Sequence, residues 1–228
     1  MTTTVDGERN GVPPLTKGER TRRRIMDSAV ELFGERGYTS VSLRDVAARA
    51  AITHAGLLHY FSGKDDLLIT AMIDRDKQEI VALQQHIDEL SRRDGRQWTV
   101  DDVGLQWLVR QIAANQRRPD LAPLYVKLSA EATEPSHPAH SYFRKRYARL
   151  RRTMTGALAR AFAAADPPVT GRDPAVAAAQ LIALADGLQI QWVLDPDSVD
   201  MVAALLDHLR LLGIDPDGWS LGDETADG

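Results

Sequence analysis

From Lys17 almost to the C-terminus, apolar residues recur every three or four positions, as on one face of a helix. Ile25, Ala29, Leu32 and Phe33 follow that spacing, as do Leu67, Leu68, Ala71 and Met72, and Leu105, Leu108 and Ile112. No segment alternates apolar and polar residues as a half-buried strand must. The chain therefore reads as all-α, with about nine helices and no internal repeat. At 228 residues and 43% hydrophobic it has length and apolar content for one large domain or two small ones.

Breakers and caps set the expected boundaries. Residues 1–16 are polar, contain Gly7, Gly11, Pro13 and Pro14, and read as a flexible arm. Gly37 stops the first helix. Ser42 is an N-cap for a short helix over 43–50, and Thr53 caps a second running to Phe61. Ser62, with Asp65 three residues on, is expected to start a long helix that ends before Asp94-Gly95. Thr99 and Asp120 start the next two. A helix from Pro138 to Ala165 stops at Asp166-Pro167-Pro168, and Asp173-Pro174 opens one reaching Leu194. The last runs from Val199 to Leu212, closed by Gly213. This divides the chain into 17–63, a body over 64–215 and a polar tail over 216–228.

Composition removes several function classes. There is no Cys, which excludes a disulfide scaffold, a Cys-ligated metal and a Cys nucleophile. No G-x-S-x-G, P-loop, G-x-G-x-x-G or H-E-x-x-H run is present, and no carboxylates form a readable acid/base pair, so neither a cofactor nor catalysis is expected. His137-x-x-His140 has metal-like spacing but no third ligand beside it, and reads as a loop running into a helix; no metal site is expected. The most apolar stretch, Ala175 to Leu194, is interrupted by Gln180, Asp186, Gln189 and Gln191, too polar for a bilayer span. The N-terminus lacks the apolar core of a signal peptide, so a cytoplasmic protein away from membranes is expected.

The net charge is −4, but it is unevenly spread: residues 1–64 hold ten basic and seven acidic side chains, the remainder 18 and 25. A mildly basic head on an acidic body suggests two tasks in one chain. In the head, two short helices are joined by the tight turn Ala50-Ala51-Ile52-Thr53, with apolar Ile52 at the junction. That is the spacing of a helix-turn-helix, whose second helix enters the major groove of DNA.

The run GERTRRRIMDSAVELFGERGYTSVSLRDVAARAAITHAGLLHYFSGKDDLL, about 50 residues, resembles the DNA-binding domain of TetR-family transcriptional regulators. It carries the A-x-x-L-F start, the short V-A-x-x-A helix and the H-Y-F-x-x-K-x-x-L end. The resemblance implies a sequence-specific regulator, most simply a repressor released by a small molecule, whose body binds that molecule and dimerises through its last two helices. Two positions depart from the family. Ala51 stands where Gly is usual, which would cost about 1 kcal/mol if the turn required positive φ; the turn is expected to stay in an allowed region. Leu58 stands where Tyr is usual, removing a hydroxyl that commonly meets phosphate.

Ala29, Leu32, Phe33, Val46, Ala47, Ile52, Leu57 and Phe61 are expected core. Position by position, the resemblance turns His54, Ala55 and Gly56 toward bases, with His59 on the same helix away from the core. Ala55 suits a thymine methyl, and His54 a base edge. Gly56, unfavourable in a helix by about 1 kcal/mol, reads either as close approach to DNA or as tight packing. Thr39, Ser42, Arg44, Thr53, Tyr60 and Lys64 are phosphate candidates, Arg44 also a base candidate; Ser42 and Thr53 serve as caps in either case. Arg20, Arg22, Arg23 and Arg24 either thicken the positive field or stay solvated.

In the body, Trp107, Gln111, Tyr125, Phe143, Tyr147, Gln189 and Trp192 are aromatics and amides on otherwise apolar helices. They nominate a small-molecule pocket, with ordinary core packing as the alternative for each. Leu181, Leu184, Leu188, Val202, Leu205, Leu206 and Leu209 on the last two helices are candidates for a two-chain four-helix bundle, or for burial within one chain. A homodimer would suit a palindromic double-stranded operator. The basic run Arg144-Lys145-Arg146 with Arg149, Arg151 and Arg152 reads as a solvated face. Two rival readings remain: a DNA-binding module whose body binds a protein and no effector, and a helical-bundle enzyme.

Overall fold

The computed structural model describes residues 15–117, 121–219 and 221. Among them are nine helices and no strand. They are α1 (Lys17–Arg36), α2 (Leu43–Arg49), α3 (His54–Leu58), α4 (Lys64–Asp94), α5 (Val100–Gln116), α6 (Leu121–Glu131), α7 (His140–Ala164), α8 (Pro174–Leu194) and α9 (Met201–Leu211). The arm expected before Leu15, the Asp120 cap and most of the expected tail lie outside the described residues.

Local chemistry fixes the helix ends. Thr16 and Glu19 form a reciprocal capping box on α1, and Ser42 and Asp45 form one on α2. Thr53 Oγ1 accepts from the Gly56 amide at 3.0 Å and starts α3. Gly37 leaves α1 at φ +79°, a backbone conformation that favours glycine; a Cβ there would lie 2.8 Å from Glu131 Oε1, which the flexible Glu131 side chain would have to vacate. Asp173 caps α8 from in front of Pro174. The start of α4 differs from expectation. Gly63 is its N-cap, and the Ser62 amide and hydroxyl both donate to Asp66, not Asp65. The Asp65 carboxylate is taken by the Tyr38 hydroxyl instead.

Two large apolar cores follow, with a small third cluster of Ile87, Leu90 and Val103 between α4 and α5. The first joins α1, α2, α3 and the opening turns of α4 to Leu124 and Leu128 of α6 and Phe143 of α7. Of the expected core residues here, all are buried except Ile52, which packs against the cluster half-buried. The second is built from α5, α7, α8 and α9. Each fully buried Leu or Phe contributes roughly 1.5–3 kcal/mol.

The leucines expected at a dimer interface divide. Leu181, Leu188, Leu205 and Leu209 are buried in the second core of their own chain and present no face to a partner. Leu184, Val202 and Leu206 are partly buried against the same core. The large apolar side chains α8 and α9 expose are Val176, Ile190, Leu194 and Leu211. By length and composition α8 would pass for a membrane span, contrary to the reading of its polar interruptions. Here Ala177, Leu181, Ile182, Leu188 and Trp192 are buried in the bundle, so α8 is a core helix.

Candidate nucleic-acid interface and internal cavity

The α2–turn–α3 unit stands on α1 through specific ties. Arg24 Nε donates to the Ala50 carbonyl at 2.9 Å, holding the turn. Arg49 bonds Glu31 at 3.0 Å and Glu35 at 3.1 Å. Arg22 lies over the Phe61 ring at 5.0 Å, and Arg23 faces Asp74 at 3.8 Å. Three of the four N-terminal arginines thus have partners within the fold. Ala51 sits at φ +52°, so the turn does require the left-handed region, contrary to expectation, and alanine bears the strain a glycine would avoid.

Leu57 points inward and is buried, while His54, Ala55 and Leu58 of α3 and its C-cap His59 are exposed, Leu58 by 45%. A Cβ on Gly56 would meet Thr53 Oγ1 at 3.1 Å, so a side chain there requires the capping hydroxyl to give by a few tenths of an ångström. Thr39, Ser42, Arg44 and Thr53 are exposed around the helix starts; Tyr60 is half-buried, edge-on to His59 at 5.5 Å between ring centres. Lys64 rests its ammonium 4.1 Å from the Tyr38 ring centre, with Nζ 3.4 Å from the Thr39 carbonyl. Burial draws its pKa down, against the nearby Asp65, Glu131 and Asp45. Hydroxyls, helix N-termini and cations such as these are the groups that meet a phosphate backbone.

Behind this unit α6 reaches both ways. Lys127 Nζ donates to the carbonyls of Gly34 at 2.6 Å and Glu35 at 2.7 Å, satisfying the C-terminal turn of α1. The opposite side of α6 presents Tyr125, Val126 and Ser129 to a cavity of about 380 Å³ among α4, α5, α6, α7 and α8. Trp107, Gln111, Tyr125, Phe143, Tyr147 and Gln189 all line it. Trp192 does not: α8 turns its ring into the second core.

The cavity's charged residues were not among those nominated from the sequence. Asp76 of α4, 6% exposed, accepts from Arg149 Nη2 at 2.6 Å, Tyr142 Oη at 2.9 Å and Arg146 Nη1. Arg146 also lies 3.6 Å from Glu79 and over the Tyr125 ring at 4.7 Å. Two members of the supposed solvated basic run, Arg146 and Arg149, are therefore built into the body. Asp186 of α8 accepts from the Tyr147 hydroxyl at 2.8 Å. Burial pushes the Asp186 carboxyl above its ordinary pKa, offset in part by Tyr147 and the Arg146 charge. Burial likewise raises the pKa of Tyr142 and Tyr147. Around His137 and His140, as elsewhere among the described residues, no three ligating side chains converge.

Residues 25–71 match the bacterial regulatory proteins of the tetR family, and residues 105–213 match the C-terminal domain of BetI-type transcriptional repressors. The chain belongs to the TetR family of transcriptional regulators. It is 26% identical to the regulator TtgR of Pseudomonas putida over 207 residues, covering 86% of this chain and 94% of TtgR. Its fold is similar to that of the FadR regulator of Bacillus subtilis, solved with stearoyl-CoA: TM-score 0.66, 20% identity, 84% of this chain and 97% of that one. It is also similar to a regulator from Saccharomonospora viridis solved with choline: TM-score 0.61, 22% identity, 84% and 96% covered. The chain is thus a helix-turn-helix, DNA-binding transcriptional regulator with a helical C-terminal body.

Proposed function

We propose that the chain is a repressor that a small molecule bound in the cavity releases from its operator. The observation that carries this reading is the double service of α4. Its opening turns place Leu67, Leu68, Ala71 and Met72 in the core beneath α1–α3, and the same helix then lines the cavity with Asp76, Glu79, Ile80 and Leu83. A ligand that binds one setting of α4 better than another shifts the helix-turn-helix by that difference in affinity and by no more. The α6 contacts, Tyr125 on the cavity and Lys127 on α1, supply a parallel connection.

In this reading residues 17–63 read DNA and 64–215 form the body. His54, Ala55 and Gly56 meet base edges, with His59 beside them; Thr39, Ser42, Arg44, Thr53, Tyr60 and Lys64 meet phosphates. Two copies pair through the outer faces of α8 and α9, where Val176, Ile190, Leu194 and Leu211 are exposed, and set two recognition helices against a palindromic operator. The protein works in the cytoplasm by binding alone and catalyses nothing. The test is fluorescence anisotropy with the promoter DNA beside its own gene, repeated with ligands found in a thermal-shift screen. Specific binding lost on adding a ligand supports the reading, provided truncating Trp107 blunts the loss; DNA binding that no cavity ligand alters removes the effector.

A further inference from the structure

FadR and the Saccharomonospora regulator were solved with ligands of unlike size and charge, so the fold does not choose the ligand; the cavity's own side chains must. The five charged side chains on its wall are Asp76, Glu79, Arg146, Arg149 and Asp186. Four are settled among themselves. Arg146 and Arg149 both bond Asp76, and Arg146 also faces Glu79, so two cations meet two carboxylates. Asp186 remains. No basic side chain lies within salt-bridge distance of it among the described residues, and its hydrogen bond there is the one from the Tyr147 hydroxyl to Oδ2. A partly buried carboxylate with no cation in direct contact is costly to ionise, and the Arg146 charge acts on it only from beyond salt-bridge distance.

Resting on the effector reading above, we propose that the cavity takes a monovalent organic cation, an apolar or aromatic body carrying one amine, with the ammonium on Asp186. The wall fits such a molecule. Trp107 and Phe143 offer aromatic surface, Ile182 and Met154 aliphatic surface, and the volume lies within the range of small-molecule sites. Burial already raises the Asp186 pKa, so a bound ammonium relieves a strain that an uncharged ligand leaves in place. An anion would instead have to compete with Asp76 for two arginines.

The experiment is isothermal titration of the full chain at pH 7.5 with three probes sharing one body: 4-phenylbutylammonium, 4-phenylbutanol and 4-phenylbutyrate. The ammonium should bind about tenfold tighter than the alcohol, and the carboxylate weakest. Asp186→Asn should remove that tenfold preference while the alcohol stays within about twofold of its wild-type affinity, and Asp186→Glu should restore it. Equal binding of all three, or a preference that survives Asp186→Asn, overturns the cation assignment and leaves the cavity as a site. Tightest binding by the carboxylate overturns it in favour of Arg146 and Arg149. Binding of none of the three overturns the assignment and the pocket reading together. The ranking on the wild-type chain decides between these outcomes even if a variant fails to fold.

Discussion

Replacing Asp76 with Asn keeps the side chain's volume but removes the charge on which three donors converge. Two are arginines and one is the Tyr142 hydroxyl, and the Asp76 side chain is only 8% exposed. Breaking a fully buried ion pair by removing one partner costs roughly 3–5 kcal/mol, because the other charge is left uncompensated. Two features reduce that here. Arg149 is 44% exposed and partly solvated already, and Arg146 keeps Glu79 at 3.6 Å. The expected loss is therefore about 2–4 kcal/mol. For a chain of this size that lowers the melting temperature by roughly 5–15 °C.

The assay is urea unfolding followed by far-ultraviolet circular dichroism, at one protein concentration so that self-association does not enter the comparison. The midpoint should fall with little change in slope. Arg146→Met alone should also destabilise, and in the double variant the two losses should add to less than their sum, since each single change strands the other's partner. A loss below about 1 kcal/mol for Asp76→Asn would mean the cluster is solvated and holds α4 to α7 no more firmly than a surface pair does.

Ala51→Gly relieves an alanine at φ +52° and should stabilise the chain by about 0.5–1 kcal/mol, read as a raised urea midpoint. Lys64→Ala should weaken binding to operator and random DNA alike and reduce the salt-dependence slope by about one; unchanged affinity for random DNA would take Lys64 out of the phosphate set. His54→Ala should instead alter the preferred sequence in an unbiased oligonucleotide selection while random-DNA affinity holds. For Asp186 the folded pKa lies above its ordinary value of 3.8, so the protonated form is the one the fold favours. Asp186 therefore weakens the fold once pH rises through that pKa, and Asp186→Asn should be more stable than wild type at neutral pH, with the advantage fading as pH falls toward 3.8.

What the sequence could reveal was what neighbours along the chain decide. Ser42, Thr53, Asp173 and Gly37 act within a turn of their own position, so their capping roles were readable before any packing was known. Six of seven nominated cavity residues line it because an aromatic or amide among small apolar residues marks a face; Trp192 obeys the same pattern, but the rotation of α8 against α7 and α9 sends its ring elsewhere. The Asp76 cluster joins positions 66 to 73 residues apart, and nothing near Asp76 announces two arginines. Only the i, i+3 spacing of Arg146 and Arg149, on the side of α7 that carries Phe143 and Leu150, hinted that both face inward. Four of the leucines proposed for a dimer are buried within their own chain for another reason. A helix apolar nearly all round has two faces to cover, and the periodicity of α8 does not say which is covered from within. Leu181 and Leu188 took the inner face, which leaves Val176, Ile190 and Leu194 as the apolar surface still to be covered. Ile190 also stands on the cavity wall beside Gln189, so in the reading proposed above a partner on that outer face and a ligand in the cavity meet the same residue. In the pairing proposed above, self-association and ligand binding are coupled through α8, while α4 couples the ligand to the helix-turn-helix, and a change such as Ile190→Ala should move self-association and ligand affinity together.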